Sequence, residues 1–298
     1  MKKALTILDG GMGRELQRIG APFSQPLWSA QALIESPQQV TQAHQNFIDA
    51  GADIITVNSY ACVPFHLGEA LYQSNGADLA RQAAEISYQV AKENAVLVAG
   101  CIPPALGSYR PDLFESSQAE SISRALFNAQ DEYVDLWLVE TISSMAELTV
   151  IHSILNSTNK KCYYAFSLDD EVLNQAKLRS GEAVEEAAEF VCRHGGEGVF
   201  FNCSIPEVME QAIKVSKKVI DSHGLDLEIG VYANNFTPIS SGHQANNEIS
   251  SLRTFTPDDY LKFAQRWYEL GATTIGGCCG IRPDHIQALS QWKLEQFN

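Results

Sequence analysis

Eight short runs rich in β-branched and aromatic residues recur along the chain, each closing on small or polar residues and each followed by a segment of helical character. They are LTILDGG near residue 8, ADIITVNSY at 52–60, AVLVAGCI at 95–102, DLWLVET at 135–141, CYYAFSL at 162–168, EGVFFNCS at 197–204, LEIGVYAN at 227–234 and ATTIGGCCG at 272–280. Most are apolar on both alternations, the pattern of strands covered on both faces of a parallel sheet. Eight such units within 298 residues fit an α/β protein of the (β/α)8 TIM-barrel class better than an open doubly wound sheet.

The intervening segments carry helix grammar. SPQQVTQAHQNFIDAG offers Ser36 as N-cap, Pro37 at the first helical position, Val40, Phe47 and Ile48 for a buried face, and Gly51 as terminator. TPDDYLKFAQRWYELGA repeats this with Thr256, Pro257, Asp258 and Asp259 at the start and Gly271 at the end. Both units pass from helix to strand through Gly-Ala, as repeated βα units would. With no linker or low-complexity tract, residues 1–298 are expected to form a single domain. Two connections are long, residues 102–118 and 235–255, and in a barrel both lie over the C-terminal mouth.

Bulk composition narrows the function. A formal net charge of −15, without any Lys/Arg run, disfavours nucleic acid and acidic membrane surfaces as partners. No stretch approaches the roughly 20 apolar residues of a membrane span, and the apolar stretch before Asp9 is too short for a signal peptide. The expectation is a soluble cytoplasmic protein acting on small molecules, its seven cysteines reduced.

In a barrel, function collects at the C-terminal ends of strands. Those positions are Asp9, Asn58 and Tyr60, Cys101, Glu140, Asn202 and Cys203, Asn234, and Cys278 with Cys279. Cys203, Cys278 and Cys279 thus converge from strands six and eight as a zinc-like ligand set with a fourth position open. Consecutive cysteines in a straight strand point to opposite faces, so both reach one ion only where the strand yields to a turn, which the flanking glycines permit. The competing reading is a packed or vicinally oxidised pair. Three thiolates blunt a metal's Lewis acidity and suit it to hold another sulfur, which favours sulfur alkylation over hydrolysis. His-x-His and His-Glu-x-x-His are absent, and DGGMG matches neither the P-loop nor the dinucleotide fingerprint.

LDGGMGREL, FNCS and GGCCGIRPDHI, with NSY, LVET, AFSL and YANN in order between them, resemble the homocysteine S-methyltransferases over nearly the whole chain. The resemblance implies a zinc-dependent, cobalamin-independent enzyme with Zn²⁺ on Cys203, Cys278 and Cys279. It further implies that Asp9 and Glu140 hold the ammonium of homocysteine and that backbone amides around Gly11 and Met12 meet its carboxylate. On this reading a methyl group passes from an onium donor, S-methylmethionine before others, to the zinc-bound thiolate of homocysteine, giving methionine. The alternatives are another small thiol or selenol as acceptor, or a zinc hydrolase or lyase on the same barrel. Asp9 as a helix cap and Glu140 in a structural ion pair are the bland readings of those two. Asn58, Tyr60, Asn202 and Asn234 are second-rank candidates behind the site. The chain departs from the family at Arg14, where many members carry threonine, and at Gly11, where they carry alanine. Strand seven also lacks a proline that many relatives have before the asparagine. A non-catalytic zinc-binding or thiol-sensing protein would instead have a closed four-ligand site, with Cys101 as the candidate fourth ligand, and the oligomeric state is left open.

Overall fold

A computed structural model describes residues 4–171, 175–240 and 251–297. Eight parallel strands form one sheet: β1 (Thr6–Ile7), β2 (Ile54–Thr56), β3 (Leu97–Ile102), β4 (Leu136–Ile142), β5 (Lys161–Phe166), β6 (Gly198–Asn202), β7 (Glu228–Tyr232) and β8 (Thr274–Ile275). Their order is β1-β8-β7-β6-β5-β4-β3-β2. The ring closes through a single bridge, Leu8 against Ile54, where Asp53 N–H donates to Ile7 O at 2.8 Å and Asp9 N–H to Ile54 O at 3.1 Å. This is the expected (β/α)8 barrel, with strands shorter than the apolar runs that announced them.

Helices α1 (Met12–Arg18), α2 (Ser29–Glu35), α3 (Pro37–Asp49), α4 (Pro64–Leu67), α5 (Glu69–Asn94) and α6 (Ser116–Gln130) cover the first half. α7 (Met145–Leu155), α8 (Val184–His194), α9 (Pro206–Ser222), α10 (Pro257–Leu270) and α11 (Pro283–Phe297) cover the second. None is long and apolar enough to cross a membrane among the described residues. α10 starts as the sequence predicts: Thr256 and Asp259 form a reciprocal capping box, and Gly271 ends the helix at φ 118°. α3 differs in detail. Ser36 occupies the N-cap position, but its hydroxyl donates to Gln39 Oε1 at 2.7 Å and caps no backbone amide. Val40 and Phe47 are buried as expected, together with Ala43 and His44, while Ile48 is only partly covered.

Period-two alternation sorts the strands into two faces. Leu8, Ile54, Ala99, Leu138, Ala165 and Phe200 pack inside the ring, and the larger outer core seats the helices on it. Continuing the inward parity one layer upward reaches Thr56, Cys101, Glu140, Asn202 and Tyr232, all at the C-terminal mouth. The connection at 102–118 lies there as expected. Of the 235–255 connection, residues 241–250 lie outside the described residues. After β5, residues 167–171 and 175–183 make an excursion not foreseen from the sequence, joined by bridges Leu168–Leu178 and Lys177–Ala183; residues 172–174 lie outside the described residues.

Candidate functional site

The GGCCG segment leaves β8 before its cysteines. Cys278 N–H donates to Ala233 O at 2.9 Å, and Cys278 O closes a turn by accepting from Ile281 N–H at 3.0 Å. Gly280 takes the third position of that turn at φ 84°, a conformation that penalises any side chain. The turn brings the two thiols to one side. On β6, Cys203 follows Asn202 with φ 49°, rare for a residue bearing a Cβ, and this kink turns its thiol into the mouth. The three Sγ atoms lie within 4.8 Å of one another. Cys101 does not join them: its sulfur donates to Glu140 Oε2 at 3.1 Å, so it is not a fourth member of the cluster.

The cluster fits a soft cation on its own chemistry. Contacts with Cys203 and then Cys278 pull the Cys279 thiol far below the usual range, while contacts with Cys203 and then Cys279 push Cys278 up. Three adjacent thiols cannot all ionise beside one another unless a positive charge sits among them. A soft divalent cation held by the three sulfurs would supply that charge.

Above the sulfurs is a cavity shared with Asp9, Glu140, Arg14, Tyr60, Trp28 and Tyr232. Asp9 does not cap α1, whose N-cap is Gly11. Its carboxylate instead takes Thr56 N–H at 2.7 Å and Thr56 Oγ at 3.1 Å, which fastens β1 to β2. Burial, with a contribution from Glu140, raises its pKa to about 8. Burial likewise raises Glu140 to about 7 against the thiol bond from Cys101, and Glu140 makes no ion pair among the described residues. Two carboxyl groups held next to each other, both resisting ionisation, make a seat for a cation.

Gly11 lines the cavity, but its N–H is engaged by Ile281 O at 2.8 Å and is not offered to a ligand. Of the two amides expected to meet a carboxylate, the Gly11 N–H is thus already paired within the chain. The Met12 N–H, at the first position of α1, has no partner among the described residues and borders the cavity. Arg14 is the one Lys or Arg among the described cavity-lining residues; it bonds Gln17 Oε1 at 2.9 Å, and its charge favours the Cys279 thiolate.

The second-rank candidates divide. Asn202 ties β6 to β4 by accepting from Thr141 N–H at 2.9 Å and donating to Thr141 Oγ at 3.0 Å. Asn234 accepts from Phe236 N–H at 3.1 Å and holds the loop after β7. Asn58 donates to Ser29 O at 3.3 Å, and Tyr60 pairs with Ser108 Oγ at 2.8 Å; these two and Asn202 line the cavity, whereas Asn234 is not among its lining residues. Two tyrosines that strand-end reasoning passed over are present. Tyr109, in the loop after β3, packs with Cys203, Phe236 and Ile239, and the Arg179 guanidinium lies 5.0 Å from its ring centroid. No sequence signal marks it, since its loop has no periodicity. Tyr232 shares the inward parity of β7 and was legible there.

Strain is concentrated at this mouth. Of five non-glycine residues at positive φ among those described, Trp28, Tyr109 and Cys203 line the cavity and Thr141 follows Glu140 directly. Such backbone persists only where surrounding structure holds it, and it clusters at functional sites.

A family model described as homocysteine S-methyltransferase matches residues 6–292. Homocysteine S-methyltransferase 1 of Arabidopsis thaliana is 28% identical, over 96% of this chain and 92% of the relative. A selenocysteine methyltransferase of Astragalus bisulcatus is 27% identical, over 95% and 90%. The metallated form of the Escherichia coli homocysteine methyltransferase MmuM superposes with a TM-score of 0.77 at 24% identity, covering 98% of this chain and 97% of that one, and shares the fold.

Proposed function

Because this chain belongs to the homocysteine S-methyltransferase family, we propose that it transfers a methyl group from an onium donor, S-methylmethionine before others, to the sulfur of homocysteine, with methionine as product. The observation that carries the reading is one cavity bordered on one side by three sulfurs and on another by paired carboxyl groups. Cys203, Cys278 and Cys279 would hold a zinc ion, whose charge would stabilise the acceptor sulfur as a thiolate, nucleophilic at neutral pH.

The chain's own residues do the rest. Asp9 and Glu140 take the acceptor's ammonium, and the Met12 amide with the Arg14 guanidinium suits its carboxylate. Trp28, Tyr60 and Phe236 line the other walls, and their ring faces favour the positive charge of a sulfonium or ammonium donor while excluding water. Acceptor sulfur, methyl carbon and departing thioether are thereby held in line. The new C–S bond forms as the old one breaks, and the electron pair leaves with the thioether, so no general base is needed at that step.

The likeness to a selenocysteine methyltransferase favours a second acceptor, a selenol of the same amino-acid form. Seven free cysteines suit a reducing cytoplasm, and residues 1–298 act as one catalytic unit. The test is methionine formation from homocysteine with S-methylmethionine, S-adenosylmethionine and glycine betaine, with zinc content measured in parallel for wild type and Cys278→Ser. Methylated thiol from at least one donor, lost together with zinc in the variant, supports the reading. Zinc retained by the variant, or no methylated thiol from any donor, ends it.

A further inference from the structure

Tyr232 closes β7 with its ring inside the barrel, packed in the cluster of Leu8, Ala99, Leu138, Ala165 and Phe200, and is 3% exposed. Its hydroxyl meets no partner at full hydrogen-bond geometry, and the group it comes nearest to bonding is the Glu140 carboxyl. Every comparable tyrosine near it is satisfied: Tyr260 donates to Gly276 O at 2.6 Å, Tyr164 pairs with His152 Nδ1 at 2.7 Å, Tyr163 donates to Glu228 at 3.1 Å, and Tyr60 pairs with Ser108 at 2.8 Å. A buried phenol without a well-formed hydrogen bond is unusual, because it has given up water for little in return. Tyr232 lines the same cavity as Asp9 and Glu140, and the groups that act on its hydroxyl are Glu140 first, then the sulfurs of Cys278, Cys101 and Cys203.

Those neighbours decide which ligand the phenol waits for. An anionic group placed there would face a carboxyl and three sulfurs, so the ligand group that fits is a cation with N–H donors. A primary ammonium has three N–H bonds to place. Asp9 already accepts twice from Thr56, and Glu140 already accepts from Cys101. The strands that end in Asp9, Glu140 and Tyr232 are β1, β4 and β7, spaced around the ring, so the three side chains approach the axis from different sides. We infer that Tyr232 completes a three-acceptor seat for the acceptor's α-ammonium, its phenolic oxygen taking one N–H while Asp9 and Glu140 take the others. Its own O–H is then free to donate to Glu140. The chain thereby selects α-amino thiols over thiols of the same length that lack the amino group.

The inference rests on the proposed function, and the test separates the two. Zinc-loaded wild type and Tyr232→Phe are titrated calorimetrically with homocysteine and with 4-mercaptobutanoate, which lacks only the amino group; turnover is measured with the same pair. The phenylalanine keeps the ring packing, and zinc content with thermal melting verifies the fold. The expected result is about tenfold weaker binding and a correspondingly higher KM for homocysteine in the variant, with kcat, donor KM and 4-mercaptobutanoate binding unchanged. Equal loss for both thiols, or no loss for either, overturns the ammonium seat and leaves the methyltransferase reading standing. A wild type that binds neither thiol overturns both.

Discussion

The sulfur of Cys101 sits 3.1 Å from Glu140 Oε2 and outside the three-sulfur cluster, although all four thiols reach the same end of the barrel. Cys101 therefore orients a carboxylate. Cys101→Ala is expected to keep full zinc content while raising the homocysteine KM about three- to tenfold, and Cys101→Ser, which restores a donor, to recover most of that. Zinc analysis beside acceptor kinetics checks both.

Gly11 lies against the cysteine turn so closely that an added Cβ would stand 2.6 Å from Cys278 O and 3.1 Å from Cys279 Cα. Both are backbone atoms and cannot swing aside. Gly11→Ala is expected to displace the Cys278–Cys279 turn, weaken zinc retention at least tenfold in a chelator competition, and cost about 1–3 kcal/mol in urea unfolding.

Arg179 and Asp170 form a buried ion pair at 2.9 Å, with side chains 5% and 2% exposed. Arg179 also donates to Ile239 O at 2.7 Å and Ser167 Oγ at 3.1 Å, and Asp170 accepts from the Ile205 and Ile239 amides, so the pair joins the excursion after β5 to the loop after β7. Arg179→Met strands the carboxylate and is expected to cost about 3–5 kcal/mol. Asp170→Asn, which keeps hydrogen-bonding capacity, is expected to cost less. Denaturant melts of the two variants give the comparison.

Acid stability follows from His44 and Glu147, which act with opposite sign. Burial lowers His44 to about 4 from an ordinary 6.5, so its contribution is complete above pH 6.5 and is lost as pH falls toward 4, where the unfolded chain takes up the proton first. Burial raises Glu147 to about 7 from 4.5, so its contribution is complete below pH 4.5 and is lost as pH rises toward 7. Each is worth at most about 3 kcal/mol across its window. Relative to wild type, His44→Gln is expected to gain stability at pH 4.5 against pH 7, and Glu147→Gln at pH 7 against pH 4.5, in melts at the two pH values.

The barrel and its three sulfurs were legible because each is written in a signal that one sequence carries. Runs apolar on both alternations announce a covered parallel sheet, and strand count with strand ends then brings Cys203 and the GGCCG pair together across 75 residues of chain. Asp9 and Glu140 were found by the same rule. What stayed hidden depends on pairing. The Gly11 amide is lost to Ile281 O, a long-range bond that no local pattern encodes. Tyr109 reaches the site from an aperiodic loop. The bond that Asn202 accepts from the Thr141 amide is likewise written in no local pattern.

The barrel's seam has a further consequence. β1 meets β2 through the lone Leu8–Ile54 bridge, and the next fastening above it is the Asp9 carboxylate on Thr56. A ring held at one joint by so few bonds opens there first, so amide exchange at Asp9 and Thr56 should outpace that along β4 to β6. An ammonium drawn onto Asp9 and Glu140 spans from that joint to the far wall. The substrate would thus act as a rivet, and slowed exchange at the seam would report acceptor binding before any methyl group moves.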